Sequence, residues 1–345
     1  MGRRQRSPAI RTEPRRAATL ADVARLAGVS PMTASRALNR PDLVAPATAA
    51  SVRAARERLA YIPNRIAGGL SSRRSDVIIA VIPSTLNPVF TDMIEALRGE
   101  LTRSAYELFL GLSDYAAQRE DKLLDAVVGR RPDGIVLTGT VRSPELRWRL
   151  ERAGIPVVET WDLTPSPVDM LVGFSNEQVG RAAAEHLLGR GRGKLALIVG
   201  DDHRAQLRRQ GFAATLAARG QSIAAEVILR APTTMAMARD ALSRLLATDP
   251  AIDGVFCSSD QLAIGVLYEA SARRLAVPDR LAVIGFGNLS ASAHTYPSLT
   301  TVAVDGQRIG REAARMLCER LDGDSDPAAP RVVDVGSYVI ARDSG

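Results

Sequence analysis

The apolar positions of residues 19 to 38 recur at helical spacing in two short blocks. The first block contains Leu20, Val23, Ala24 and Ala27, and the second contains Ala34, Ala37 and Leu38. Thr19 with Asp22 three residues later starts the first block, and Gly28 ends it. Ser30 caps the second, with Pro31 at its first helical position. The pattern predicts a helix-turn-helix, followed by a third helix over residues 46 to 59.

From residue 75 onward, short β-branched or apolar runs alternate with amphipathic helical segments, which is typical of parallel α/β sheets. The predicted strands cover residues 77–82, 106–112, 134–138, 156–159, 171–174, 195–199, 226–229, 254–257 and 281–286, with a last strand around 332–339. About four strands precede Trp161 and a similar series follows it. We therefore expect two similar lobes, with chain crossings near 160–164, 287–291 and 323–330.

Composition places the chain among soluble globular proteins, with 46% hydrophobic and 24% charged residues. No apolar run approaches the roughly 20 residues of a membrane span. Two cysteines, Cys257 and Cys318, are too few for a disulfide framework or a metal site, which fits a cytoplasmic protein. We expect no cofactor, no metal and no membrane partner.

Positive charge is concentrated at the amino-terminal end. Residues 1–74 hold 15 arginines and 4 acidic residues, a net charge of +11, whereas residues 75–345 have a net charge of −4. Residues 1–18 have no apolar segment, so they are predicted to be a disordered basic tail and not a signal peptide. For residues 1–18 alone, a solvated basic segment without a partner is the preferred explanation. The remaining excess lies within the helix-turn-helix and indicates a nucleic-acid partner.

The second helix of a helix-turn-helix lies in the DNA major groove and reads bases from its first turns. Arg36 can donate two hydrogen bonds to guanine, and Thr33 and Ser35 can reach phosphates or base edges. Met32 offers only apolar contact. The alternative is an ordinary helical pair with a surface arginine.

The run from Thr19 to Leu70 resembles the DNA-binding module of the LacI/GalR family of bacterial repressors. The resemblance rests on the opening Ala-Asp-Val-Ala-Arg-Leu-Ala-Gly-Val-Ser, the Thr-x-Ser-Arg recognition helix and the Tyr-Ile-Pro-Asn-Arg stretch at 61–65. It implies a helix-turn-helix domain (19–60), a hinge (61–74) and a two-lobed, periplasmic-binding-protein-like α/β core (75–345). The DNA-binding residues implied are Thr19, Ser30, Pro31, Met32, Thr33, Ser35, Arg36, Asn39, Tyr61, Asn64, Arg65, Ala67 and Leu70.

In this family, a leucine at the position of Leu70 wedges into the central minor-groove step of the operator and kinks the duplex. The hinge carries Gly68 and Gly69, which disfavour a helix in isolation, so we expect it to fold on DNA. The alternative is a linker leucine that merely packs.

For the effector, the resemblance and the positions after strand ends indicate seven residues around a cleft between the lobes. They are Asn87, Phe90, Thr138, Trp161, Arg208, Asp260 and Phe286. Arg208, predicted in the first turn of its helix, suits a carboxylate or vicinal hydroxyls, although it could equally be solvated beside Arg209. Asp260 could accept sugar hydroxyls or simply be an acid at a helix N-terminus.

Several core stretches, including Val172 to Asn176 and Asp253 to Asp260, resemble the gluconate-operon repressors within the family. Many sugar-responsive members have Gly-Tyr-Asp-Asp where this chain has Gly285-Phe-Gly-Asn288. The missing carboxylate, with Arg208 present, favours an anionic effector such as a sugar acid. A neutral sugar or a purine-type corepressor is the alternative.

Rival functions have weaker support in the sequence. The three histidines, His186, His203 and His294, lack a catalytic or metal-binding spacing, which argues against an enzyme. A solute-binding protein would need a signal peptide, and a nucleoid protein would not need the α/β core. No leucine-heptad helix follows residue 340, which disfavours a coiled-coil tetramer. We predict a homodimeric, ligand-controlled repressor that binds a palindromic operator.

Overall fold

The computed structural model describes residues 16–62, 74–85, 88–115, 117–323 and 331–345. The chain divides into two compact units, Met1–Ser75 and Asp76–Gly345. Most of the predicted hinge and the first 15 residues of the basic tail lie outside the described residues. None of the described helices is long and apolar enough to cross a membrane.

In its described residues, the first unit contains three α-helices and one 3₁₀ helix. They are α1 (Leu20–Ala27), α2 (Pro31–Asn39), the 3₁₀ helix Pro41–Leu43, and α3 (Pro46–Arg58). Their small shared core is built from Val23, Ala24, Ala34, Ala37, Val52 and Ala55. Four of these six are alanines spread over the three helices, so the helix axes can approach closely with little side-chain volume between them.

The second unit alternates strands with helices. Its strands are β1 (Val77–Ile82), β2 (Glu107–Leu112), β3 (Gly134–Thr138), β4 (Val157–Thr160), β5 (Met170–Gly173), β6 (Leu195–Gly200), β7 (Ala225–Leu229), β8 (Gly254–Cys257), β9 (Ala282–Phe286), β10 (Thr300–Ala303), β11 (Arg331–Asp334) and β12 (Tyr338–Ile340). Its α-helices are α4 (Thr91–Arg103), α5 (Ala117–Gly129), α6 (Pro144–Ala153), α7 (Asn176–Gly189), α8 (His203–Ala217), α9 (Met235–Thr248), α10 (Asp260–Ala272) and α11 (Gly306–Asp322). Two 3₁₀ helices, Pro88–Phe90 and Ser290–His294, complete the described elements.

Two six-stranded sheets form two lobes, as predicted. The first has the order β11-β5-β4-β3-β1-β2 and is parallel throughout. The second has the order β12-β10-β9-β8-β6-β7, with only β12 antiparallel to its neighbour. The central strands, such as β6, are buried along their whole length, which matches sheets covered on both faces.

The predicted positions of the lobe crossings are wrong. Because β5 pairs with β4 and α7 packs on the second sheet, the chain first crosses at 174–175, not at 160–164. It returns at 304–305, since β10 pairs with β9 and α11 packs on β4 and β5, so no crossing occurs at 287–291. Residues 323–330 join two first-lobe elements, α11 and β11, and the third crossing is at 335–337.

The predicted strand over 332–339 is in fact two short strands in different sheets. β11 pairs with β5 in the first lobe, and β12 pairs with β10 in the second. Gly336 lies between them with a φ of +69°, a left-handed conformation that breaks an extended run. The apolar residues of this segment therefore belong to strands of both lobes.

Candidate DNA-binding and effector-binding sites

The first helix of the helix-turn-helix is fixed at both ends by its sequence. The Thr19 hydroxyl accepts from the backbone of Asp22, and the Asp22 carboxylate accepts from the backbone N–H of Thr19, completing a capping box. Gly28 ends α1 with a φ of +70°. Hydrogen bonds from Thr19, and then from Arg16, hold the pKa of Asp22 well below its usual range. The amino-terminal end of α1 is therefore fixed by its capping box, and the turn to the second helix begins at Gly28.

The second helix starts at a capped, exposed end. The Ser30 hydroxyl accepts from the backbone N–H of Thr33 at 3.1 Å, and Pro31 occupies the first helical position. Pro31 and Arg36 are exposed, and Met32 is 72% exposed. Ala34 and Ala37, on the opposite face, are buried against α1 and α3. The geometry leaves the side chains that can read a base edge free on one face of α2.

Other predicted DNA contacts are in part engaged within the unit. The Ser35 hydroxyl accepts from the Asn39 amide at 3.4 Å, and Thr33 shares a hydrogen bond with Ser30 at 2.9 Å. Tyr61 packs against the helical core. The hinge residues Asn64, Arg65, Ala67 and Leu70 lie outside the described residues.

In the second unit, a cavity of about 420 Å³ lies at the carboxyl ends of parallel strands from both lobes. Such strand ends are where open α/β sheets bind ligands. Its polar lining comprises Ser113, Tyr115, Glu120, Asp121, Thr138, Thr140, Arg142, Ser143, Asp162, Asp202, His203 and Arg204. Thr138, a predicted site residue, belongs to this lining, and its hydroxyl oxygen is buried without a hydrogen-bond partner among the described residues.

A second, much smaller cavity of about 20 Å³ shares Tyr115 and Arg204 with the first. It brings together the predicted residues Phe90, Trp161, Arg208 and Phe286 with Ser258 and Ser259. Phe90 and Trp161 meet edge to face, with ring centroids 5.0 Å apart. These two rings form an aromatic wall of the smaller cavity. Asn87 lies outside the described residues.

Arg208 lies in the second turn of α8, and not in the first turn as predicted. Its guanidinium donates to the Asn176 side-chain oxygen and stacks 4.4 Å from the Phe286 ring centroid. The side chain is only 7% exposed, and burial lowers its pKa to about 10. It is therefore not a solvated neighbour of Arg209, which instead pairs with Glu226 at 2.6 Å.

Asn176 organises the residues around Arg208. Its side-chain amide donates to the Trp161 carbonyl and to the Asp162 carboxylate, both at 3.1 Å. Trp161 itself adopts a φ of +67°, so it marks the tight turn after β4, within the first lobe. The prediction that Trp161 lies at a lobe crossing is therefore wrong, although the ring does line the smaller cavity.

Asp260 does not line either cavity, so the predicted effector contact is not supported by its position. The carboxylate is fully buried and accepts from the hydroxyls of Thr301 and Ser292 and the backbone N–H of Leu289. Burial raises its pKa. Asp260 instead holds the 289–292 segment against β10.

The sequence prediction missed Arg204, His203, Asp162 and Asn176. Arg204 had a signal, because it lies four residues before Arg208 and so shares its face of α8. Asp162 and His203 each follow a strand end, in the first and second lobe, and their side chains approach to 4.0 Å. Within the described residues, no group of three or more His, Cys, Asp or Glu is placed to hold a metal ion.

Family models match both parts of the chain. The model described as "Bacterial regulatory proteins, lacI family" matches residues 19–64, and "Periplasmic binding protein-like domain" matches 184–344. The HTH-type transcriptional regulator GntR of Pseudomonas aeruginosa is 38% identical over 94% of this chain and 95% of its own. Such relatives are transcriptional regulators and not enzymes, in agreement with the prediction.

Solved structures agree with this relationship. A LacI-family regulator from Silicibacter pomeroyi superposes with a TM-score of 0.87 at 31% identity, covering 95% of this chain and 99% of that one. The transcription regulator GntR from Chromobacterium violaceum has a TM-score of 0.73 at 35% identity, covering 78% and 98%. With its helix-turn-helix and two-lobed core, this chain belongs to the LacI family of bacterial transcriptional regulators.

Proposed function

We propose that this chain is a homodimeric repressor that binds a palindromic operator and is released when a sugar acid of the gluconate type binds between its lobes. The observation that carries the DNA-binding half is the face of α2, where Met32 and Arg36 are exposed beyond a capped helix end. Two such helices related by a dimer axis fit the two halves of a palindrome. We propose four parts of the chain: a basic tail (1–18), the helix-turn-helix DNA-binding domain (19–60), the hinge (61–74) and the effector-binding and dimerisation core (75–345).

The observation that carries the effector half is a pair of arginines, Arg204 and Arg208, that line the smaller cavity. The first acidic position of the family's Gly-Tyr-Asp-Asp stretch is taken here by Gly287, and the second by Asn288, whose side-chain oxygen accepts from Arg342 at 2.7 Å. An anionic ligand can accept hydrogen bonds from both guanidiniums, and no carboxylate at position 287 or 288 repels it. This favours a sugar acid, in line with the resemblance to the gluconate-operon repressors.

A neutral sugar is the second candidate. Glu120, Asp121, Asp162 and Asp202 line the larger cavity, and carboxylates are good acceptors for sugar hydroxyls. A solved regulator named CelR, 27% identical to this chain, is in complex with cellobiose. A purine is the third candidate, since the rings of Phe90, Trp161 and Phe286 line the smaller cavity, but the two arginines beside these rings favour an anion.

We propose that dimerisation uses β2. This strand lies at the edge of the first sheet, and Phe109, Leu110 and Leu112 on it are exposed. An exposed apolar edge strand is unfavourable in a monomer, and pairing with a second copy would cover it.

The hinge proposal concerns Leu70, which lies outside the described residues. We propose that it wedges into the minor groove at the centre of the operator. A Leu70→Ser variant should lose operator affinity while its effector affinity stays the same. Operator affinity equal to that of the wild type would contradict the proposal.

The function is tested by selecting operators from random duplexes and then titrating the complex with candidate ligands in a mobility-shift assay. We expect gluconate or 2-ketogluconate to release a selected palindrome, and glucose and hypoxanthine to have no effect. Failure to select any palindrome would overturn the DNA-binding proposal. Release only by a neutral sugar, or tighter binding with a purine, would overturn the sugar-acid proposal.

A further inference from the structure

Arg204 and Arg208 present two guanidiniums to one small space. They lie four residues apart on α8 and both line the 20 Å³ cavity, together with the hydroxyl-bearing residues Ser258 and Ser259. Ser259 is also the N-cap of α10, so the positive end of that helix faces the same region. The Nε atom of Arg208 is buried and has no hydrogen-bond partner among the described residues.

Neither guanidinium is in direct contact with a carboxylate of the described residues, although the charges of Asp202 and Asp162 stabilise the charged form of Arg208 from a greater distance. Among the described residues, no carboxylate oxygen lies within the 4.0 Å ion-pair distance of Arg204 or Arg208, whereas the adjacent Arg209 is paired with Glu226 at 2.6 Å. A buried cation without a counter-charge is costly. The space between the two arginines is therefore suited to an anion.

Arg204 also joins the two lobes. It belongs to α8 of the second lobe, and its Nη1 donates to the carbonyl oxygen of Thr138, at the end of β3 in the first lobe, at 2.8 Å. Its guanidinium carbon lies 5.7 Å from the ring centroid of Phe90, also in the first lobe. A Cβ atom at Gly139 would lie 2.9 Å from the same Nη1, so a glycine here admits the guanidinium.

We propose that the carboxylate of the effector binds between Arg204 and Arg208 and takes Arg204 away from the Thr138 carbonyl. This inference rests on the proposed sugar-acid effector and names its receptor. A carboxylate carries a negative charge and can accept two parallel hydrogen bonds from a guanidinium, so it competes successfully with a neutral carbonyl for Arg204. The charge of the ligand is thereby coupled to the hydrogen bond between Arg204 and Thr138, which joins the lobes. A ligand that binds more tightly to the state without this bond shifts the population toward that state.

Calorimetry on the full chain tests the carboxylate contact. Arg204→Gln should bind gluconate at least about tenfold more weakly than the wild type, because hydrogen bonds to charged groups are lost. Arg204→Lys should restore part of the affinity, since it keeps the charge but not the planar fork. Arg209→Gln is the matched control on the same helix and should bind gluconate within about twofold of the wild type.

The outcomes separate the two proposals. If the wild type binds gluconate and Arg204→Gln binds it equally well, the role of Arg204 is wrong while the sugar-acid effector stands. If the wild type binds no sugar acid, the proposed effector fails and this inference fails with it.

The interlobe bond is tested without ligand by the fluorescence of Trp161, which is 3% exposed beside Phe90. The chain has two tryptophans, so a Trp148→Phe background isolates it. In that background, Arg204→Gln alone should increase acrylamide quenching of Trp161, and gluconate should do the same to the parent protein. Quenching unchanged in both cases would overturn the coupling.

Discussion

The carbonyl oxygen of Arg208 lies 1.8 Å from the point that a Cβ atom would occupy at Gly180. The same helix pair repeats this contact at Gly211, whose added Cβ would lie 1.9 Å from the carbonyl oxygen of Glu177. The two helices, α7 and α8, therefore touch through their backbones. This contact sets the depth at which Arg208 and its partner Asn176 enter the cleft.

Gly180→Ala should destabilise the protein by about 2 kcal/mol or more, because overpacking against a backbone atom outweighs the gain of about 1 kcal/mol in helix propensity. The midpoint of urea unfolding measures the loss. Gly189→Ala in the same helix is the control, since a Cβ there meets nothing within 4 Å. Equal stability of the two variants would mean that the helices can separate at no cost.

Arg36→Ala should weaken binding to a selected operator by about 1–3 kcal/mol and reduce its discrimination against random DNA. Fluorescence anisotropy with both duplexes at one salt concentration measures the change. Arg36→Lys distinguishes base from phosphate contact, because lysine keeps the charge but cannot form the bidentate pair. Full recovery with lysine would assign Arg36 to a phosphate.

Phe109→Arg should convert the dimer to a monomer at micromolar concentration, since a charge in an apolar interface is left without a partner. Light scattering coupled to size exclusion gives the mass. Trp148→Arg is a matched control, because Trp148 on α6 is 60% exposed and Phe109 is 58% exposed. A dimer that survives Phe109→Arg would place the interface elsewhere.

The pH dependence of the protein's stability should include a contribution from His203, which lines the larger cavity. Burial, and then the charge of Arg142, lower the pKa of His203 below the usual 6.5, against the opposing effect of Asp162. A group whose folded pKa is lowered contributes stability above its unfolded pKa and loses it as the pH falls through the lowered value. Stability should therefore decline below pH 6.5, and the decline should be smaller in His203→Gln.

This prediction has a direct spectroscopic check. A proton NMR titration of the His203 ring should give a midpoint below 6.5, and Asp162→Asn should lower it further by removing the attraction to the imidazolium. A midpoint at or above 6.5 would contradict it.

The helix-turn-helix could be predicted from sequence because its determinants are local. Thr19, Gly28, Ser30 and Pro31 specify helix ends within a few residues of themselves, and the structure shows each in that role. The alternation of strands and helices likewise predicted both sheets.

The lobe crossings could not be predicted in the same way, because the partner of a strand is a non-local property. β4 and β5 are joined by a loop without a helix, so the break at Trp161 resembles a lobe boundary although both strands belong to one sheet. The run 332–339 looks like one strand, and only the pairing partners show that Gly336 divides it.

The surroundings of a candidate site residue could not be predicted where they depend on distant parts of the chain. Asp260 follows a strand end and is acidic, yet its carboxylate turns away from the cavity because Ser292, Thr301 and Leu289 supply donors from distant parts of the chain. Arg204 carries no motif, and its significance depends on β3 of the other lobe lying within hydrogen-bond distance.

The chain passes between the lobes three times, at 174–175, 304–305 and 335–337. A protease that cuts one of these passages leaves two covalent ties, so the nicked protein should remain a single particle until it is denatured. The three crossing segments also oppose sliding of one lobe across the other. Bending of the lobes about these segments is therefore the easiest large motion.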